Sequence, residues 1–535
     1  MSYAIMFVLG AIAAFPYLFP QLWPLGWVSA APLFWAASEK KAAYRHGLAY
    51  FSGYYGLIYH WFIYLYPMDF AGFDRLQSIL VIAVCWIGMT ILQGPFFALV
   101  VPIYRRLRTG CDWADALSAA SLWVIFEWLQ TQTWMGVPWA RLAVTQYKFL
   151  PALQSSSLLG SLFVSFQMAL TGSLAAIALH RLNGDVPQPV GNGSKANEPL
   201  VKTPEKRKAA LCALLATTVF SANLAYGGAA LAMYDDSGAK SVVAAVIQGN
   251  IPSGEKWKDG SVYKTLEIYS ELTLEACEKY SPEIVLWPET AINVSLRGMG
   301  GLCEEISNLA KSTDAVILVG AFDDVVSESA DEILSYNAIL AFYPDGTIGD
   351  KPYYKRHLVP FAEYLPMPWF FKTFLPMLAD MNLFQNDLTP GDAPNLIETK
   401  YGKLGGLVCF DSIYGELARE SVKDGANLIV LSTNDSWYRD SAAVYQHNGH
   451  AVLRAIETGR YVVRAANTGV SSIISPTGEV LVELGPLIKG VAVHEVKMLE
   501  SRTPYSFVGD GWICACAFFI AGLAIAKKFK KAKTQ

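Results

Sequence analysis

Apolar runs long enough to cross a bilayer crowd residues 1–235 and return once at 507–526, whereas 240–500 alternates short apolar stretches with polar ones. A chain divided this way cannot close around one water-soluble core. Charged residues make up only 16% of the whole, against about 25% in soluble proteins, and the deficit sits in the apolar runs. A helical span needs roughly 20 apolar residues. Eight candidates occur, near 4–19, 24–38, 47–66, 78–104, 113–130, 157–180, 209–233 and 507–526. The first two carry Pro16, Pro20, Pro24 and Pro32, which predicts tilted, kinked or partly re-entrant helices. The fifth is the least apolar and carries Glu127, which is either a functional intramembrane acid or, in the preferred reading, wet at a span end. No basic stretch precedes the first run and no cleavage site follows it, so it reads as a retained span.

Basic residues orient the bundle. Lys40, Lys41 and Arg45 follow span two, and Arg105, Arg106 and Arg108 follow span four. Arg181, Lys195, Lys202, Lys206, Arg207 and Lys208 separate spans six and seven, and five lysines from Lys527 to Lys533 follow span eight. With eight spans these clusters share one side, which the positive-inside rule makes cytoplasmic. The expected organisation is then 1–235 as a transmembrane bundle of seven spans and 236–503 as an extracytoplasmic domain. Residues 504–535 would form span eight and a basic tail. The stretch 182–205, rich in Gly, Pro and Asn, reads as a flexible cytoplasmic loop.

Between the spans, the pattern is that of an α/β domain. Strands are predicted at 242–246, 284–287, 315–322, 337–343, 404–409, 428–432, 461–467 and 471–475, with a hairpin turn at Pro344-Asp345-Gly346. Val262, Leu266, Tyr269, Leu272, Ala276 and Tyr280 recur at helical spacing. Cys277 and Cys303 could pair in an oxidising compartment, but are read as two buried free thiols, since exchange with a reactive thiol would scramble a disulfide. The net charge of −4 gives no electrostatic case for nucleic acid. The eight cysteines show no metal-ligand spacing.

Three reactive side chains stand at or just beyond apolar strands of this region: Glu289 after Ile284–Pro288, Lys355 after Tyr353-Tyr354, and Cys409 after Leu404–Val408. A thiol becomes a strong nucleophile only on losing its proton. A carboxylate can take that proton, and an ammonium can stabilise the oxyanion formed on a carbonyl carbon. Each residue alone is more often a core thiol, a turn acid or a surface cation. It is their joint occurrence that points to acyl transfer through a thioester. A transporter or an inactive scaffold fits less well, because the spans carry few charges and a scaffold has no use for all three groups.

The segments Trp287-Pro288-Glu289-Thr290, Lys355-Arg356-His357-Leu358-Val359-Pro360-Phe361-Ala362-Glu363-Tyr364-Leu365-Pro366 and Val408-Cys409-Phe410-Asp411 resemble the carbon–nitrogen hydrolase (nitrilase) superfamily. With the apolar spans, Gln248–Pro252 and Thr433–Trp437, the chain resembles its membrane branch, the apolipoprotein N-acyltransferases. The resemblance implies a polytopic membrane bundle joined to a nitrilase-like αββα sandwich. It implies a catalytic triad of Glu289 as base, Lys355 as oxyanion stabiliser and Cys409 as nucleophile. Glu363 would support the lysine, and Trp257 and Trp437 would lie near substrate. Family members commonly have Gly at the position of Ala362 and Tyr-Glu at Phe410-Asp411, so by resemblance Asp411 is a supporting acid on a shorter arm.

The implied reaction is ping-pong, without cofactor. Cys409 takes the sn-1 acyl chain of a phospholipid, phosphatidylethanolamine by resemblance, and passes it to the α-amine of an S-diacylglyceryl cysteine at an apolipoprotein N-terminus. The expected setting is a bacterial inner membrane, with the catalytic domain periplasmic and the chain monomeric. The alternative is a membrane-anchored amidase with water as acceptor. The apolar segment 364–378, with Trp369 and Phe370, is expected to act as an arm toward the bilayer that guides acyl chains, or else to pack as a loop on the bundle.

Overall fold

The computed structural model describes residues 1–39, 43–68, 72–133, 136–184, 205–258, 260–327, 332–374 and 387–534. Lys40, Lys41, Lys195, Lys202, most of the 182–205 loop and residues 375–378 therefore lie outside the described residues. The chain divides into two compact units. One comprises Met1–Phe62, Ala83–Met233 and Val508–Gln535, the other Ile63–Ile82 and Tyr234–Phe507.

The first unit is helical. Among the described residues, four helices are long and apolar enough to cross a membrane: Arg75–Leu107, Ser161–Leu182, Lys206–Met233 and Pro504–Phe529. Tyr3–Leu18 and Pro20–Ser38 form a pair bent by 116°, the break expected where Pro20 cannot donate a backbone bond. The third expected span is a 15-residue helix, Tyr44–Ile58, that tightens into 3-10 turns over Tyr59–Leu65. The fifth is Asp112–Leu129. Neither of these two is among the helices that are long and apolar enough on their own.

Glu127 corrects its expectation. It is 2% exposed and not wet. The turns Pro138–Ala140 and Leu142–Gln146 fold over its helix, and its Oε1 accepts the Trp123 indole N–H at 2.9 Å and the Leu142 N–H at 2.8 Å. Arg141, also buried, donates to Ser161 Oγ at 2.9 Å.

The second unit is built on two sheets. Sheet one runs in the order β13 (Gly490–Met498), β1 (Lys240–Gln248), β2 (Ile284–Leu286), β4 (Val316–Val326), β5 (Ile333–Phe342), β6 (Tyr353–Tyr354), with β3 (Ile292–Ser295) also on β4. Sheet two runs β12 (Val480–Leu484), β11 (Ser471–Ile474), β10 (Val462–Ala466), β9 (Leu428–Thr433), β8 (Gly402–Val408), β7 (Ile397–Thr399). Strands β1, β2 and β4 are parallel, as are β8, β9 and β10. Both faces of such strands are covered, so they read as continuous apolar runs.

The period-two alternation of side chains sorts those runs into layers. On β1, Val242, Ala244 and Val246 face an inter-sheet core with Leu404, Val408, Val430 and Val463. Ala245 and Ile247 face the opposite way, toward the helices Ser261–Tyr280 and Gly300–Thr313. Helices Gly415–Lys423 and Ala442–Thr458 pack on sheet two. The layers are thus helix, sheet, sheet, helix. Tyr280, expected on the buried face of its helix, is exposed at the helix end. Cys277 and Cys303 are free, Cys303 buried and Cys277 only half-buried.

Candidate active site

The parallel strands of the two sheets end near one another, and the expected reactive residues follow those ends. Glu289 lies three residues past β2, and its neighbour Thr290 has a left-handed φ of 46°. Gly320 on β4 makes room for that turn. A Cβ there would lie 2.2 Å from the Pro288 carbonyl oxygen and 2.8 Å from the Glu289 Cα. Lys355 follows β6, held by its N–H to the Asn337 carbonyl at 2.8 Å. Cys409 follows β8 with φ 49° and opens the turn Cys409–Ile413. A left-handed conformation costs a residue with a Cβ about 1–2 kcal/mol, so packing must hold it.

The polar groups form one buried cluster. Lys355 Nζ donates to Glu289 Oε1 at 3.1 Å and to Glu363 Oε1 at 2.8 Å. Asn337 Nδ2 donates to the same two oxygens, at 2.8 and 3.1 Å. The second Glu363 oxygen takes the Val359 N–H at 2.8 Å. Burial by itself lowers the Lys355 pKa, but Glu289 and Glu363 outweigh it and hold the ammonium well above its ordinary value. Burial raises Glu363, against the pull of Lys355 and with a push from Glu289. Burial raises the Cys409 thiol well above its ordinary value, Glu289 adds to this and Lys355 opposes it. The resting group is therefore a thiol, and attack requires a base to take its proton during the reaction.

Asp411 points away from Cys409 Sγ chemistry and into backbone. Its Oδ1 accepts the His357 N–H at 2.8 Å, and its Oδ2 accepts the Val408 N–H at 3.0 Å and the Tyr353 hydroxyl at 2.9 Å. It fastens the strand end before Cys409 to the segment around Lys355. Trp257 is half-buried beside Lys256, whose ammonium lies 5.7 Å from its ring centroid. Trp437 is half-buried in the turn after β9, two residues from Asp435. Trp369 and Phe370 stand apart from the cluster, exposed on the short helix Pro368–Phe374, with Phe371 turned inward onto Phe361.

Several residues of the site were not anticipated. Asn337 is the one amide in an otherwise largely apolar strand, and that interruption was its signal. Lys256, 1% exposed, donates to the Glu289 carbonyl at 3.0 Å and to Thr290 Oγ1 at 2.7 Å. Burial lowers its pKa to about 7, against the pull of Glu289 and Cys409. Beyond Cys409 lie Asp435 and His447, both buried, joined at 2.8 Å between Asp435 Oδ1 and His447 Nδ1. Arg464 Nη2 donates to the other Asp435 oxygen at 2.8 Å. Cys409, Asp435 and His447 bring one ligand-type atom each within 4.8 Å of one another. They suit a cation poorly, because His447 and Arg464 already engage both Asp435 oxygens and Arg464 is itself a cation.

Comparison with known proteins supplies the family context. Residues 243–503 match the family described as carbon-nitrogen hydrolase, and 9–174 match the apolipoprotein N-acyltransferase N-terminal domain. An apolipoprotein N-acyltransferase of Geobacter metallireducens is 31% identical over 534 residues, covering 98% of this chain and 96% of that one. That of Gloeobacter violaceus is 28% identical, covering 93% and 89%. Among solved structures, the nitrilase-superfamily protein Nit3 of Saccharomyces cerevisiae matches at 20% identity and TM-score 0.35, over 50% of this chain and 93% of that one.

Proposed function

We propose that this chain, which belongs to the apolipoprotein N-acyltransferase family, moves an acyl chain from a phospholipid to the α-amine of a diacylglyceryl cysteine through a thioester on Cys409. The observation that carries this reading is the cluster of Lys355 between two buried carboxylates beside a thiol at a strand end. In the first half-reaction Glu289 takes the thiol proton as Cys409 Sγ attacks the sn-1 ester carbon. Lys355 stabilises the oxyanion, an effect worth about 3–4 kcal/mol per donor in other acyl-transfer sites. The ester C–O bond breaks, the lysophospholipid alkoxide takes the proton from Glu289, and the thioester remains. In the second, the free amine attacks the thioester carbon and gives its proton to Glu289. The C–S bond breaks, the Cys409 sulfur takes that proton from Glu289 to restore the thiol, and the amide leaves.

Glu363 and Asn337 keep Lys355 and Glu289 in register during both steps. Trp257 and Trp437 are taken as the aromatics near substrate, on the resemblance of their segments. The donor is taken as phosphatidylethanolamine, the working unit as a monomer, and the setting as a bacterial inner membrane crossed eight times. Residues 1–235 then form seven spans, 236–503 the periplasmic catalytic domain, and 504–535 the last span and a cytoplasmic tail. The basic loop clusters support this orientation, and the four described helices long and apolar enough to cross a membrane support a polytopic bundle.

The test is mass spectrometry of the full chain after incubation with phospholipid vesicles. One added acyl mass is expected on Cys409, absent in Cys409→Ala and discharged onto a synthetic diacylated lipopeptide. Free fatty acid released at an equal rate without lipopeptide would instead make water the acceptor and the chain an amidase-type hydrolase. Vesicles that leave Cys409 unmodified would end the thioester reading.

A further inference from the structure

Lys256 ends the short helix Ser253–Lys256, and its side chain runs inward to the turn that carries Glu289. Its Nζ donates to the Glu289 carbonyl at 3.0 Å and to Thr290 Oγ1 at 2.7 Å, and Thr290 Oγ1 donates to the same carbonyl at 2.8 Å. The three groups close a triangle around the peptide that joins Glu289 to Thr290. A β-branched residue with a φ of 46° is strained, so these bonds oppose a tendency of the turn to open. An amine has two hydrogens to give with or without its extra proton, so the triangle stands in either state.

The backbone of Lys256 is held as well as its side chain. Its carbonyl accepts from Asn293 Nδ2, on β3, at 2.8 Å and from Ser261 Oγ at 2.6 Å. One residue thus grips both ends of the segment from Glu289 to Asn293. At the far end of the same short helix, Ser253 Oγ and Ser436 Oγ lie 2.6 Å apart, with Ser436 next to Trp437. The turn after β2 on sheet one and the turn after β9 on sheet two therefore share one brace.

Packing does not explain a lysine at this place. Its described hydrogen bonds go to neutral oxygens, and burial opposes its charge. An unbranched apolar side chain would fill the space without burying a polar end. We infer that Lys256 is a positioning residue for Glu289, holding the strained turn that carries the carboxylate into its cluster with Lys355 and Asn337. The inference rests on the reading of Glu289 as the base. A misplacement of about 1 Å at a reacting group can cost a hundredfold in rate, and Lys256 bonds the backbone of the residue whose side chain must keep its place.

A double-mutant cycle on the full chain in detergent micelles tests this. The rate is read as the burst of nitrophenolate released when a p-nitrophenyl fatty-acyl ester acylates Cys409. That leaving group departs without a proton, so Glu289→Gln keeps a measurable rate. Lys256→Met should slow the burst about tenfold or more in the wild-type chain. In Glu289→Gln it should slow it by less than about twofold, because an effect carried through the carboxylate vanishes with it. Thr290→Val removes part of the same triangle and should show the same dependence on Glu289, while Thr290→Ser, which keeps the hydroxyl, should run at the wild-type rate. An equal loss in both backgrounds, or no loss in the wild-type chain, would overturn this inference alone. A Glu289→Gln chain as fast as wild type would overturn the reading of the base and this inference with it. If Lys256→Met fails to fold, the Thr290 variants decide: Thr290→Val must slow the wild-type chain and spare Glu289→Gln.

Discussion

The carboxylate of Asp411 accepts the backbone N–H of His357 at 2.8 Å. Through this bond, and a second from Val408 to the other oxygen, a short acid two residues past the thiol holds the lysine-bearing segment of one sheet to the strand end of the other. A longer Glu side chain would overshoot these backbone donors, which gives the Asp in place of the family's common Glu a physical sense. Asp411→Asn keeps one acceptor oxygen and turns the other into a donor facing backbone N–H groups. A buried donor or acceptor left unsatisfied costs about 1–3 kcal/mol. The variant should melt several degrees lower and transfer acyl groups at least about tenfold more slowly, measured by thermal denaturation in detergent and by lipopeptide acylation.

Asn337 gives Glu289 and Glu363 a shared neutral donor. Removing it in Asn337→Leu leaves two carboxylates with Lys355 as their one bridging partner in this cluster. Loss of a hydrogen bond to the charged form raises a carboxyl pKa, and Glu363 is already raised by burial. The acid limb of the pH–rate profile should move to higher pH. At pH 6 acylation should fall further than at pH 8, read as initial rates across that range.

Lys256 carries a stability signature. Its pKa falls from 10.5 in the unfolded chain to about 7 in the fold, driven by burial. Below pH 7 both states bind the proton and burial of the charge is at its most costly. Between about 7 and 10.5 the unfolded chain binds the proton and the folded one does not, so stability rises with pH through that window. Lys256→Met removes this dependence. The wild-type melting temperature should gain on that of Lys256→Met between pH 6.5 and 9.5, and a constant difference would show that the amine stays charged in the fold.

The helix Pro368–Phe374 turns Trp369 outward, 74% exposed, while Phe371 anchors it below. Large apolar side chains held out on a short anchored helix suit contact with acyl chains or a bilayer surface. The double variant Trp369→Ser, Phe370→Ser should keep the wild-type melting temperature and lose much of its acylation rate with vesicle phospholipid. Alkylation of Cys409 by a small water-soluble reagent should be unchanged. Equal acylation rates would assign the two aromatics no part in acyl-chain capture.

Most of the second unit was legible because buried parallel strands need unbroken runs of Val, Ile and Leu, and those runs stand out between turns. Glu289 and Cys409 were legible because each follows such a run, whereas Lys355 follows only Tyr353-Tyr354 and was legible through the segment Lys355–Pro366. Asn337, Lys256, Asp435, His447 and Arg464 were not. Each reads locally as a polar interruption of a strand, turn or helix, and its partner lies on a distant segment; Arg464, for example, sits among Val462, Val463, Ala465 and Ala466. Glu127 was misread for the same reason, since only the returning turns at 138–146 enclose it. In the first unit, hydropathy located helices well but not their lengths. The run at 47–66 is mostly apolar, yet its aromatic-rich end winds into 3-10 turns.

Glu289 and Lys355 belong to one sheet and Cys409 to the other, and between the sheets lies a layer of Val, Leu, Ile and Ala. The spacing of acid, amine and sulfur is therefore gauged by the thickness of hydrocarbon, much as a shim sets the gap between two plates. Exchanging one aliphatic side chain for a bulkier one in that layer would be felt at the reacting atoms without any polar group being touched. A search for activity-tuning substitutions has as much to find among those hidden methyls as around the mouth of the site.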